Sequence, residues 1–85
     1  MSWVLKLSRR AAKDLRSIPA DDLRRIDAAF DAMLQNPLSG DTKMLRGAKG
    51  ALRRRVGPWR IIFEIDDDTV IVLRVLRRTT TTYRG

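Results

Sequence analysis

Residues 51–65 read ALRRRVGPWRIIFEI, and this stretch decides the fold. It reads as two strands joined at a tight Gly57-Pro58 corner. Successive side chains of a strand point to opposite faces. Arg53 and Arg55 therefore share one face, and Leu52, Arg54 and Val56 share the other. Beyond the corner Trp59, Ile61, Phe63 and Ile65 line one face, while Arg60, Ile62 and Glu64 line its opposite. From Thr42 to Phe63 there are seven cations (Lys43, Arg46, Lys49, Arg53, Arg54, Arg55 and Arg60) and no acid. A sheet apolar on one side and basic on the other points to a built anion site.

Outward from this hairpin, Asp66-Asp67-Asp68 reads as a second turn. Three consecutive acids cannot easily converge on one ion, so a turn is preferred to a metal site. Thr69–Arg77 is a third strand, β-branched and apolar on both faces. Residues 79–85 form a polar tail with one aromatic, Tyr83. Upstream, Leu38–Gly50 is a basic loop punctuated by glycines, with room for a short extended piece near Met44–Leu45. Trp3–Leu7 reads as a strand, and Ser8 as the N-cap of a helix over Arg9–Ile18. Ala11, Ala12, Leu15 and Ile18 make that helix's apolar stripe. After Pro19, Leu23, Ile26, Phe30, Met33 and Leu34 recur at helical spacing until Asn36-Pro37 stops the run. The expected fold is α+β in the order β-α-α-β-β-β: a helical hairpin packed on a small antiparallel sheet of three to four strands. Trp3, Leu15, Ile26, Phe30, Ile61 and Phe63 belong in its core.

The 85 residues fit one domain, 1–85, with no repeat or linker. Net charge of +8 favours nucleic acid, an anionic surface or an acidic protein as partner. No stretch is long or apolar enough to span a bilayer, and the start lacks the apolar region of a secretory signal, so a cytoplasmic protein is expected. The chain has neither cysteine nor histidine, which excludes disulfides, thiolate metal sites and Ser-His chemistry, and no metal or other cofactor is expected.

Arg53 and Arg55 point the same way, and Arg60 lies across the corner where its guanidinium would converge with theirs. Three guanidiniums so placed repel one another unless an anion or an acidic partner sits among them, and phosphate fits their planar forks. RNA is an accessible substrate, because its own 2′-hydroxyl serves as nucleophile. The protein then has to bend the backbone in line, remove one proton and stabilise the phosphorane, the last being work for arginine. Tyr83, beside Arg84 and without apolar neighbours, is either a docked tail residue or a phenol used for stacking or proton transfer.

The run LRRRVGPWRIIFEIDDDTVIVLRVLRRTTTTYR (52–84) resembles the C-terminal half of RelE/ParE-superfamily toxins from bacterial toxin–antitoxin pairs. It has alternating basic residues, Val-Gly, an aromatic, Arg, an apolar strand, an acidic turn, another apolar strand, Arg and a late Tyr. SRRAAKDLRSIP (8–19), a second helix ending in Asn-Pro and KMLRG (43–47) are similar to the family's N-terminal half. The resemblance implies a toxin held by a small acidic antitoxin, and for RelE-like members a ribosome-dependent endoribonuclease that cuts mRNA. It gives Arg53 and Arg55 contact with the scissile phosphate, Arg60 stabilisation of the transition state, and Arg78 the leaving group. It gives Tyr83 stacking on the base and proton abstraction. Lys43, Arg46, Lys49, Arg54 and Arg77 would then bind RNA phosphate, with Arg77 an alternative to Arg78. Arg54 stands where the family is usually apolar, Pro58 replaces a common Asp or Ser, and four threonines lengthen the gap before Tyr83. The rival readings are a ParE-like poison of DNA gyrase without nuclease chemistry, and a nucleic-acid-binding module without toxicity.

Overall fold

Ser8 ties the start of the fold to its end. Its backbone is extended and its Oγ accepts from Ala11 N–H, capping the first helix as expected. The same hydroxyl donates to the Leu73 carbonyl at 2.7 Å, which anchors the helix start against the last strand. The computed structural model describes residues 2–45, 47 and 50–78. The elements are β1 (Val4–Leu7), α1 (Arg9–Arg16), α2 (Ala20–Gln35), β2 (Thr42–Met44), β3 (Leu52–Val56), β4 (Trp59–Asp66) and β5 (Thr69–Arg77). Helix α1 stops two residues short of the expected Ile18, because the N–H groups of Ser17 and Ile18 turn back to the Asp14 and Leu15 carbonyls. Helix α2 starts without a side-chain cap, and Asp21 and Asp22 lie in its positive first turn.

The sheet has five strands in the order β1-β5-β4-β3-β2. This exceeds the three to four expected, and it is not wholly antiparallel. Strand β1 pairs with β5 in parallel, since the helical hairpin supplies the crossover that parallel neighbours need. Strand β2 overlaps the short extended piece expected near Met44–Leu45 only at Met44, starts two residues earlier at Thr42, and pairs antiparallel with β3. Ile26, Met33, Ile61, Phe63, Val70 and Val72 are fully buried, and Trp3, Leu15 and Phe30 pack half-buried against them. The core thus lies between the helices and the Ile61–Phe63 face, and among the described residues no helix covers the opposite face of the sheet. The acidic run is a turn, with Asp67 taking the left-handed conformation (φ 55°).

Strand β1 ends where Leu7 pairs with Val72, so β5 runs on without a strand on that edge. Asp14 of α1 fills the gap. Its carboxylate accepts from Val75 N–H at 2.9 Å and from Arg74 Nε and Nη2 at 2.8 and 3.1 Å. The bonds from Arg74, helped by that from Val75, hold the Asp14 carboxyl below its ordinary range, and partial burial works against them. Among the described residues no helix is long and apolar enough to cross a membrane.

Candidate functional site

The β3–β4 register builds the site. Arg55 pairs with Arg60 and Arg53 with Ile62, so all three arginines stand on the sheet face that carries no helix. On β2, Lys43 pairs with Arg53 and joins them. The convergence expected of Arg53, Arg55 and Arg60 is therefore present in the backbone register.

One acid stands among them. The Asp41 carbonyl accepts from Arg55 N–H at 2.9 Å, which sets Asp41 opposite Arg55 one strand away. Its carboxylate lies 3.6 Å from Arg53 Nη1 and 3.9 Å from Arg55 Nε. These are ion pairs with slack, too long to be hydrogen bonds. Reading charge along the sequence missed Asp41 because it falls one residue before the acid-free run. The signal that could have found it is register: a strand pairing Thr42 with Arg54 must bring residue 41 to Arg55.

Arg53 Nη1 and Arg60 Nε are buried and make no hydrogen bond among the described residues. The Arg53 side chain is only 14% exposed. Arg54 Nε and Trp59 Nε1 on the helix side share that state, so what sets Arg53 and Arg60 apart is their place beside Arg55, where guanidiniums on one face have donor capacity left for an anion's oxygens.

Arg54 is elsewhere. It pairs with Ile61 on the helix-side face, and its Nη1 donates to the Ser39 carbonyl at 2.8 Å and to Ser39 Oγ at 2.9 Å. Burial pulls its guanidinium below the ordinary arginine range. Gly40, at φ 69°, makes room: a Cβ there would stand 2.6 Å from Arg54 Nη2. Arg54 thus clamps the loop that carries Asp41 and does not face the arginine cluster. Arg77 pairs with Trp59, and its guanidinium lies 5.7 Å from the centre of the Trp59 ring, also on the helix side. Arg78 donates its N–H to the Pro58 carbonyl beside the hairpin corner. Alternation from Leu76, which pairs with Arg60, assigns Arg78 to the arginine face. Arg46, Lys49 and Tyr83 lie outside the described residues.

Residues 5–81 match the family described as the ParE toxin of the type II toxin–antitoxin system parDE. Toxin RelE3 of Methanocaldococcus jannaschii is 36% identical over 70 residues, 78% of this chain and 80% of that one. Toxin RelG of Mycobacterium tuberculosis is 30% identical over 81 residues, covering 92% and 93% of the two chains. Among solved structures, the archaeal RelE–RelB complex from Pyrococcus horikoshii matches with a TM-score of 0.81 at 24% identity, over 95% of this chain and 100% of that one.

Proposed function

We propose, since this chain belongs to the RelE/ParE superfamily and is a toxin of a type II toxin–antitoxin system, that it is an endoribonuclease acting on ribosome-bound mRNA in the cytoplasm. The observation that carries the reading is the register that sets Arg53, Arg55 and Arg60 on one sheet face, with Arg53 Nη1 and Arg60 Nε making no hydrogen bond among the described residues. A nonbridging phosphate oxygen accepts more closely from these guanidiniums than the Asp41 carboxylate does at 3.6 Å from Arg53. RNA brings its own nucleophile, the 2′-hydroxyl, so the protein's main task is to stabilise charge that grows on phosphorus oxygens. Arg53 and Arg55 hold the scissile phosphate, Arg60 meets the developing phosphorane, and Arg78 serves the leaving oxygen. Tyr83 is assigned the stacking on the neighbouring base that the resemblance gives it. Lys43 extends the backbone-binding surface, and Arg46 and Lys49 are assigned to the same strand of RNA.

Among the described residues no groove encloses a floppy RNA, so the ribosome supplies the in-line geometry, a contribution that reaches about 7–11 kcal/mol in well-oriented reactions. The names of the relatives, RelE3 and RelG, favour this reading. The restraining partner is a small acidic antitoxin that folds on binding, in keeping with the RelE–RelB pairing of the Pyrococcus structure and the chain's cation excess.

A second reading, a gyrase poison, is favoured by the ParE description of the matched family. Two assays with purified protein separate them: cleavage of mRNA on programmed ribosomes, and trapping of cleaved DNA by gyrase. In the first, Arg60→Ala should slow single-turnover cleavage by about 10²–10³ with little change in ribosome affinity, since its contact strengthens as charge develops. An Arg60→Ala protein that cuts at full rate once bound, or gyrase-linked DNA breaks with intact mRNA, overturns the nuclease.

A further inference from the structure

We infer that Asp41 is the group that takes the proton from the attacking 2′-hydroxyl. The inference rests on the nuclease reading and adds to it a residue the resemblance does not supply. Asp41, one residue ahead of β2, Arg55 of β3 and Arg60 of β4 form a row, Asp41 bonded to the Arg55 N–H and Arg55 paired with Arg60, on the face opposite the helices. Neighbouring strands lie about 4.8 Å apart, so Asp41 and Arg60 flank Arg55 across roughly 10 Å. A phosphate seated over Arg55 has the carboxylate on one side and the Arg60 guanidinium on the other. In-line displacement needs a base on the side from which the attacking oxygen enters, opposite the departing oxygen, and Arg60 is then free to hold the nonbridging oxygens of the phosphorane.

The carboxylate is placed for such work. Its backbone is fixed by the bond to Arg55 N–H, and the preceding loop is held through Ser39 by Arg54. Its side chain remains 49% exposed, open to a substrate from the solvent side. At 3.6 and 3.9 Å from Arg53 and Arg55 it is oriented by their charge without a hydrogen bond to either. The groups facing it from the packed strands are all cations: Lys43 of β2, Arg53 and Arg55 of β3, and Arg60 of β4. An acid placed merely to weaken phosphate binding brings no evident gain to a phosphate site, whereas a base does.

In the step, an Asp41 carboxylate oxygen accepts the 2′-hydroxyl proton as the 2′-oxygen–phosphorus bond forms. The phosphorus–5′-oxygen bond breaks, its electron pair stays on the 5′-oxygen, and that oxygen takes a proton from water. The products are a 2′,3′-cyclic phosphate and a 5′-hydroxyl, and Asp41 returns its proton to solvent. Tyr83 then keeps the stacking role.

The test is single-turnover cleavage on programmed ribosomes by the full chain, with end-group analysis and ribosome affinity measured alongside. Asp41→Asn is isosteric and keeps the backbone bond to Arg55. It should slow cleavage by about 10²–10⁴ while binding as tightly as the wild type or tighter, one repelling charge having gone. Asp41→Glu should recover part of the rate, which a shape-filling role would not predict. Full-rate cutting by Asp41→Asn overturns the assignment and makes Asp41 a counter-ion; equal losses of rate and affinity also overturn it, by showing that it acts only through the arginines. Wild-type cleavage tests the nuclease reading by itself, so an uncut wild-type sample sinks both, and equal cutting by wild type and Asp41→Asn sinks this one alone.

Discussion

Asp14→Ala tests whether a helix carboxylate closes the edge of the sheet in place of a missing strand. The substitution removes the acceptor for Val75 N–H and both acceptors for Arg74. Arg74 keeps access to water, so the loss is carried by the strand N–H, left without a partner beside α1. An unsatisfied backbone donor of this kind costs about 1–3 kcal/mol. Alanine's better helix propensity offsets at most about 0.7 kcal/mol of it. A net loss of about 1–2 kcal/mol lowers the melting temperature of a domain this size by about 5–15 °C. The pH dependence follows from the direction of the shift. Asp14 binds its proton less tightly folded than unfolded, with an ordinary value of 3.8, so its contribution is full well above that value. It fades as pH falls below 3.8 toward the lower folded value. Thermal melts of wild type and Asp14→Ala should therefore differ by a constant gap from pH 5 to 8, and the gap should narrow below about pH 3.8. Other carboxylates titrate in both proteins and cancel in the difference. A gap as wide at pH 2.5 as at pH 7, or none at pH 7, would refute the edge-closing role.

Two further outcomes separate arginines that the sequence leaves grouped. Arg54→Ala should cost about 1–2 kcal/mol of stability through its two bonds to Ser39, seen as a lower melting temperature, and, since its guanidinium is engaged by Ser39 on the face away from Arg53 and Arg55, should leave the salt dependence of RNA binding unchanged. Arg77→Ala should lose about 0.5–1 kcal/mol of packing over Trp59 and cleave normally, whereas Arg78→Ala should cleave more slowly at unchanged stability; the reverse pattern in the same single-turnover assay would make Arg77 the site arginine.

The parts of the fold legible in the sequence are those with a local cause. Period-2 alternation placed Ile61 and Phe63 inside and Arg53, Arg55 and Arg60 outside, and Ser8 and Asn36-Pro37 marked helix ends. What stayed hidden depends on partners far along the chain. Nothing in Val4–Leu7 says that it lies parallel to Thr69–Val72, and the three residues of β2 are too few and too polar for a pattern to register. The site was hidden in the same way. Charges counted along the chain gave an acid-free block, but a sheet reads across strands, and one residue beyond that block Asp41 becomes the neighbour of Arg55. Arg54 shows the converse: adjacent in sequence to two site arginines, it faces away from both because alternate side chains of a strand must diverge. Asp14 and Asp41, both passed over in the sequence, each meet arginines through strand geometry and not through sequence proximity. The function of a basic sheet is therefore set less by its net charge than by which few acids the register admits among the cations. Here that acid stands on one side of Arg55 with Arg60 on the other, so the basic face is divided by charge and is not a uniform cationic surface.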